Sequence, residues 1–83
     1  MPAFARGVRL RKESDGTTLL LVPEGIVRLN AAAAATLSLV DGSRNVAQIV
    51  AALAAARYDA EPARIDADVH DLIARMRARH LLQ

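Results

Sequence analysis

The sequence predicts an α+β domain, in which a three-stranded antiparallel β-meander is followed by three α-helices in a winged-helix-like arrangement. Two observations lead to this prediction. Short apolar runs in residues 8–30 alternate with charged residues between Gly- and Pro-containing turns, which is typical of strands. Residues 31–79 instead place apolar residues at three- and four-residue spacing, which is typical of helices. With 83 residues, the chain has room for one domain with a small core.

The composition excludes several classes of protein. There is no cysteine, so neither disulfides nor thiolate chemistry can contribute. A net charge of +2 is too small to mark a nucleic-acid binder, and aromatic residues, at 2%, offer few stacking platforms. The longest strongly apolar run, residues 19–22, is far too short to span a bilayer, and the N-terminus lacks a signal-peptide pattern. We therefore expect a soluble cytoplasmic protein that contacts no membrane.

An N-terminal arm is predicted before the sheet. Residues 1–6 have neither a strand nor a helix pattern, so we expect a flexible arm that Phe4 could anchor, with the folded domain at residues 7–83. The first strand is predicted over residues 8–13, where aliphatic and charged residues alternate. This alternation indicates one face on the core and one face in water.

The second strand is predicted over residues 17–22. It follows Ser14-Asp15-Gly16, a hairpin turn in which Gly16 supplies a positive φ. The apolar run at residues 19–22 makes both faces of this strand apolar, which suits a central strand. The face turned away from the helices then needs a cover, either the N-terminal arm or a second molecule. We expect the arm to cover it.

The third strand, residues 25–30, is the predicted functional element. Its side chains alternate, so Ile26 and Arg28 point to one side while Val27 and Leu29 point to the other. As the last strand of a meander it has an edge whose N–H and C=O groups can accept a further strand. This favours a peptide-binding module. The alternative is a core strand whose edge is shielded by the chain's own tail.

The first two helices have clear start signals. Asn30 is the predicted N-cap of a helix over residues 31–40, which ends before Gly42 in the left-handed position. The second helix begins at Asn45, and Gln48 three residues later completes a capping box.

The third helix is predicted over residues 62–79, after the second helix frays around residues 57–59. Its first half is acidic and its last turns are rich in arginine, which complements the helix dipole. It also carries an apolar stripe, and most of such a stripe is expected to pack inward, with Met76 nearest the rim. The stripe consists of Ile65, Val69, Leu72, Ile73 and Met76.

The sequence predicts neither catalysis nor a bound metal. It contains no Ser/His/Asp arrangement, no Gly-rich phosphate loop and no close pair of acids. Asp66 and His70 have the four-residue step of a metal pair but lack a third ligand nearby, and His80 lies on another face of the helix. We therefore expect no catalytic residue, no metal and no cofactor.

DNA binding is the main alternative for this fold class, because many winged helices bind DNA. A recognition helix should present Arg, Lys, Asn or Gln side chains to bases and phosphates. The predicted second helix offers only Gln48 and Arg57, and the third is acidic over its first half. We expect no nucleic-acid partner.

Anchor residues spread over residues 7–82 form a pattern, and its most specific part is Asp41-Gly42-x-Arg44. The other segments are Pro23-Glu24-Gly25, Leu29-Asn30, Ala33-Ala34, Leu37-x-Leu39, Val46-x-x-Ile49, Tyr58 and Asp68-Val69-x-x-Leu72. The pattern resembles the PqqD family, the peptide chaperones of pyrroloquinoline quinone biosynthesis, which belong to the RiPP recognition elements. It departs from the family at His80, where Gly is usual, and at Asn45, where Thr or Ser is usual.

The resemblance implies a function and a site. Such proteins bind the leader of a ribosomal precursor peptide, here PqqA-like, and present it to a radical S-adenosylmethionine enzyme, here PqqE-like, that cross-links a Glu and a Tyr. A different peptide-modification pathway and self-association as a homodimer both stay open. The peptide would add as a strand beside helix three, with Arg28, Arg75 and Arg79 available to acidic side chains. The implied contact residues are Ile26, Val27, Arg28, Leu29, Val69, Leu72, Ile73, Arg75 and Met76.

Overall fold

The fold consists of one sheet with its helices on one side. The computed structural model describes residues 1–56 and 61–83, so the expected fraying at residues 57–59 lies outside the described residues. The strands run in the order β1-β2-β3, and both pairs are antiparallel. The predicted α+β class and its order of elements are confirmed. The elements are β1 (Arg9–Lys12), β2 (Thr18–Val22), β3 (Gly25–Leu29), α1 (Ala31–Leu37), α2 (Val46–Ala56) and α3 (Pro62–Ala78).

Helix α1 is shorter than predicted. Its N-cap is Asn30, as predicted, and the side chain of Asn30 accepts a hydrogen bond from the Ala33 N–H at 2.8 Å. The helix ends at Leu37 instead of residue 40, and the Val40 N–H donates to the Leu37 carbonyl, only three residues back. This tighter turn buries Val40 in the core, so tertiary packing overrides the helix propensity of the alanine run.

The Asp41-Gly42-x-Arg44 motif forms the turn between α1 and α2. The Asp41 carboxylate accepts hydrogen bonds from the backbone N–H groups of Ser43, at 2.9 Å, and Arg44, at 3.0 Å. The Arg44 guanidinium donates to the Asp41 carboxylate at 3.1 Å and to the Leu39 carbonyl at 3.3 Å. Gly42 has a φ of +80°, as its predicted left-handed position requires. The motif therefore shapes the chain and presents no free functional group.

The capping box of α2 is confirmed. The Asn45 N–H donates to the Gln48 side chain and the Gln48 N–H donates to the Asn45 side chain, both at 2.8 Å. Helix α3 starts with Pro62 in its first turn, also as predicted. These local signals hold because they depend on residues only a few positions apart.

The C-terminal end of α3 explains the departure at His80. This residue has a φ of +60°, the conformation in which glycine is usual. The His80 N–H donates to the Arg77 carbonyl at 3.0 Å, and the Leu81 N–H donates to the Met76 carbonyl at 2.9 Å. This is the Schellman pattern, which closes the helix and turns Leu81 and Leu82 into the core.

The N-terminal arm makes more contacts than a free arm would. Pro2 is fully buried, and its carbonyl accepts from the Gly42 N–H at 3.1 Å. Phe4 forms an antiparallel bridge with Leu82, flanked by further backbone hydrogen bonds between the two ends of the chain. The division into an arm at 1–6 and a domain at 7–83 stays a prediction, but this arm is packed against the domain.

The two faces of the sheet differ. On the inner face Leu10, Leu20 and Val27 lie opposite one another and pack on the core with the helices. The outer face carries Leu19 and Leu21, which are half-buried, and Ile26, which is 63% exposed. The prediction that the N-terminal arm covers this face is wrong. Phe4 packs instead on the core side, because its backbone pairs with the C-terminal segment.

Candidate functional site

Strand β3 has one paired edge and one open edge. Its partner is β2, in a register that runs from Val22 opposite Gly25 to Thr18 opposite Leu29. On the other edge, no strand within residues 1–56 and 61–83 pairs with β3. The predicted unpaired margin is therefore present in the part of the chain that the structure describes.

The register decides which backbone groups point outward. Val22 and Gly25 close a two-residue turn, so they form a hydrogen-bonded pair, and such pairs recur at every second residue. The N–H and C=O groups of Gly25, Val27 and Leu29 consequently face β2. Those of Ile26 face the open edge, and so do those of the following outward residue, Arg28. A guest strand would find its hydrogen-bonding partners on these two residues.

The end of helix α3 borders the start of this edge, and the middle of the helix borders a second hollow that begins directly after β3. At the start of β3 the helix end comes close, and a hollow of ≈ 350 Å³ is bounded there by the Gly25–Val27 segment, Arg79 and Leu81. At the far end a second hollow of ≈ 210 Å³ lies between Asn30, the first turns of α1 and the Leu72 and Arg75 side chains. We call these two hollows, together with the open edge of β3 between them, the β3 groove.

The structure separates the predicted site residues into two groups. Ile26 and Arg28 are exposed, Leu72 is half-buried at the far hollow, and Arg75 is exposed beside it. Val27 and Leu29 are half-buried and pack against the core from β3. The other three are core residues, with exposures of 2% to 6%, and form the underside of the α3 wall. They are Val69, Ile73 and Met76.

The charges in the groove are mixed. Arg75 is already paired with Asp71 at 3.1 Å, and this exposed ion pair contributes little to the stability of the fold. Asp68 lies at the same hollow and pairs loosely with Arg64 at 3.9 Å. Arg28 and Arg79 make no ion pair with any residue in the described ranges. These two guanidinium groups are therefore the ones most available to an acidic ligand.

Sequence reasoning missed several groove residues. Leu81, Asn30 and the α1 residues Ala32 and Ala33 line the hollows but were not predicted as contacts. Asn30 and the alanines were interpreted only as a cap and a helix. Their position in the sequence, directly after the open strand, could have indicated this role, because a groove beside a strand can continue past the end of the strand.

The described residues contain no cluster of three or more His, Cys, Asp or Glu side chains suited to a metal ion. His70 contacts Asp66 through its Nδ1 atom, at 3.2 Å from a carboxylate oxygen and 2.9 Å from the backbone carbonyl. Among the helices that are described, none is both long and apolar enough to cross a bilayer. The groove can thus interact with a ligand through backbone hydrogen bonds, apolar contacts and guanidinium groups.

Comparison with known proteins assigns the family. The sequence model of coenzyme PQQ synthesis protein D (PqqD) matches residues 17–82, which include every element from β2 to α3. The chain belongs to the PqqD family. This membership favours peptide recognition over the DNA-binding alternative.

Two PqqD-family relatives illustrate the likeness. The PqqA binding protein of Xanthomonas oryzae pv. oryzae is 40% identical over 83 residues, covering 99% of this chain and 89% of that protein. The bifunctional coenzyme PQQ synthesis protein C/D of Methylorubrum extorquens is 40% identical over 84 residues. The chain spans 22% of the length of that bifunctional protein.

Solved structures agree with the fold. The PqqD part of Methylobacterium extorquens PqqCD, a functional and stand-alone RiPP recognition element solved by NMR, has a TM-score of 0.80 and 40% identity, covering 99% of this chain and 87% of that one. PqqD from Xanthomonas campestris has a TM-score of 0.64 and 34% identity, covering 100% and 92%. TbiB1, solved with the TbiA(beta) leader peptide, has a TM-score of 0.79 and covers 98% and 94%, but at 20% identity it supports the fold alone.

Proposed function

We propose that this PqqD-family protein is a peptide chaperone of pyrroloquinoline quinone biosynthesis, which binds the leader of the precursor peptide PqqA by strand addition in the β3 groove. The observation that carries the proposal is the open edge of β3, on which the backbone groups of Ile26 and Arg28 face outward. Relatives with 40% identity that bear the name PqqA binding protein support the choice of peptide.

The open edge of β1 is a weaker candidate for strand addition. Of its four residues, Arg9, Arg11 and Lys12 are charged and exposed. Charged side chains on an edge strand oppose pairing with a further strand. In contrast, β3 carries one charged residue, one hollow is lined by its first residues, and the other begins at Asn30 directly after it.

The expected affinity follows from these contacts. Each backbone hydrogen bond to Ile26 or Arg28 contributes about 0.5–1.5 kcal/mol net, and an apolar peptide side chain buried on Leu72 contributes about 1.5–3 kcal/mol. Ordering a flexible peptide offsets part of this gain. A micromolar Kd corresponds to about 8 kcal/mol of binding free energy, so these contacts less the ordering cost give a Kd no tighter than roughly micromolar.

The direct contacts are fewer than the resemblance implies. The backbone groups of Ile26 and Arg28 and the side chains of Leu72 and Arg75 face the groove, and Arg79 adds a cation at its other end. The buried residues of α3 support the wall from below, and Val27 and Leu29 hold β3 on the core. An acidic peptide side chain would pair with Arg28 or Arg79 before Arg75, which already has a carboxylate partner.

The remaining parts of the function concern the partners. The bound peptide is presented to a radical S-adenosylmethionine enzyme of the PqqE type in the cytoplasm, and the protein itself carries no catalytic residue. Membership of the PqqD family supports this division of labour.

Amide hydrogen exchange on the labelled protein with and without synthetic PqqA tests the proposal. The amides of Ile26 and Arg28 should exchange rapidly in the free protein and become protected by the peptide. Those of Val27 and Leu29 should be protected in both states, because they already bond to β2. A PqqA peptide with a scrambled leader is the control. Protection or chemical-shift changes confined to β1 would contradict the proposal.

A further inference from the structure

The outer face of the sheet carries an ordered array of side chains, of which only those on β3 adjoin the groove. Because the inner face is fixed by Leu10, Leu20 and Val27, the neighbouring residues on each strand point outward. The strand register places them in two rows across the sheet. The rows are Arg9, Leu21 and Ile26, and then Arg11, Leu19 and Arg28.

The centre of this face is aliphatic. Leu19 and Leu21 are half-buried although neither packs against the buried core, so the flanking arginine stems cover part of their surface. Ile26 is 63% exposed, and within the described residues only Met1 is a more exposed large apolar residue. A flat aliphatic centre with charged residues at its margin is the usual composition of a protein–protein contact.

The margin is positively charged. Arg9 has no ion-pair partner among residues 1–56 and 61–83, and Arg28 interacts electrostatically with Asp15 without forming an ion pair. Arg11 contacts Glu13 at 3.3 Å. That pair is solvent-exposed, with 59% of the Arg11 side chain accessible, so it neutralises the face only in part. A partner surface that matches this face in charge would therefore be acidic.

Charge and shape decide between the possible occupants. A second copy of this chain would bring two arginine-rich faces together, and like charges across an interface are costly. A bilayer would require protruding apolar side chains, but Leu19 and Leu21 are half-buried in a flat sheet. A folded protein that presents acidic residues around an aliphatic patch fits both features.

We propose that the outer face of the sheet is the docking surface for the enzyme that modifies the bound peptide, through an acidic and aliphatic patch on that enzyme. The proposal rests on the function proposed above. Ile26 and Arg28 join the two surfaces, because their backbone faces the groove and their side chains lie on the outer face. A peptide added to β3 extends this face by a fourth strand, so the enzyme contacts the chaperone and its cargo together.

The test compares two arginine reversals in the full-length protein. Arg9→Glu lies on the outer face, away from the groove, and Arg64→Glu makes the same charge change on α3, where the Arg64 side chain is 80% exposed. Calorimetry measures binding of the co-encoded radical S-adenosylmethionine enzyme and, separately, of synthetic PqqA. Arg9→Glu should weaken enzyme binding by about tenfold and reduce its salt dependence, with PqqA affinity unchanged. Arg64→Glu should bind the enzyme as the unaltered protein does.

A second variant tests the aliphatic part of the outer face, so that the test does not depend on charge alone. Leu21→Thr keeps a strand-forming residue on the outer face while removing aliphatic surface, and it should also weaken binding of the enzyme without affecting PqqA. Unchanged enzyme affinity in both outer-face variants would overturn the proposal. The proposal would also be overturned if the unaltered protein self-associated in sedimentation and the outer-face variants did not. It would equally be overturned if the unaltered protein bound anionic phosphatidylserine vesicles instead of the enzyme and the outer-face variants did not. Failure of PqqA to bind the unaltered protein would instead reject the proposed function.

Discussion

Asp41 sets the path of the chain between α1 and α2. Hydrogen bonds from the backbone N–H of Ser43 and then of Arg44 to its carboxylate lower the pKa of Asp41 below its ordinary value. Since the folded-state pKa is the lower one, the ionised carboxylate stabilises the fold above the unfolded-state pKa of about 4. This contribution is lost as the pH falls through the folded-state pKa.

The substitution Asp41→Asn therefore alters the pH dependence of stability. An asparagine oxygen can still accept the two backbone hydrogen bonds, but it does not titrate in this range. Urea unfolding measured from pH 7 down through the acid range should show a smaller acid-induced loss for the variant than for the unaltered protein. Parallel losses in the two proteins would show that this carboxylate is not the group responsible.

Neighbouring residues of α3 have opposite roles. Ile73 is 2% exposed in the core, and Leu72 faces the far hollow of the β3 groove. Ile73→Ala should lower the free energy of unfolding by about 2–5 kcal/mol through the cavity it leaves. Leu72→Asp should mainly weaken PqqA binding, because it places a charge on the apolar wall. Thermal unfolding and calorimetry measure the two effects, and a folded Leu72→Asp variant with unchanged affinity would contradict this assignment.

Single residues also mark the limit of sequence-based prediction. Helical spacing identified the apolar stripe of α3, and four of its five members are buried: Ile65, Val69, Ile73 and Met76. Spacing could not identify Leu72 as the one at the groove, because its exposure depends on how far α1 and β3 extend over α3. Met76, expected nearest the rim, is 6% exposed.

At the scale of the elements, strand β3 offers a paired test of its two edges. Ile26→Pro removes an outward N–H and should leave the fold intact, because proline is tolerated where an edge N–H faces solvent. Val27→Pro removes a bond to β2 and should lower stability instead. Loss of one hydrogen bond should weaken PqqA binding to Ile26→Pro by up to about tenfold. If Ile26→Pro unfolds while Val27→Pro does not, the assignment of which β3 residues form hydrogen bonds with β2 is wrong.

Element boundaries were predicted well where local signals control them. Turns at Gly16 and Gly42 and caps at Asn30 and Asn45 involve groups a few residues apart, so the sequence displays both partners. The end of α1 was misplaced because an alanine run continues a helix on propensity alone. Its actual end depends on Val40 reaching the core, which is a contact between distant segments.

At the scale of the whole molecule, the two chain ends stabilise each other. Phe4→Ala should lower the free energy of unfolding by about 1–3 kcal/mol, because Phe4 is half-buried against the core and bridges to Leu82. Arg6→Ala, at an exposed neighbouring position, should change it by less than about 0.5 kcal/mol. Equal effects in urea unfolding would indicate the free arm that the sequence suggests.

This pairing of the ends was beyond the sequence pattern. Residues 1–6 show no periodicity, and the isolated bridge joins residues almost a whole chain length apart. Because residues 1–6 lack a pattern, the prediction that the arm covers the outer face of the sheet was also wrong. The open edge of β3 was predictable, since meander order alone determines which strands are last.

The bridge between Phe4 and Leu82 also fixes where a fused neighbour would emerge. The C-terminal segment lies beside the N-terminal one, and Leu81 lines the hollow at the start of β3. A tether attached at either terminus would therefore leave the domain from the same corner, near one end of the β3 groove. An appended catalytic unit would be held within reach of the cargo whichever terminus carried it.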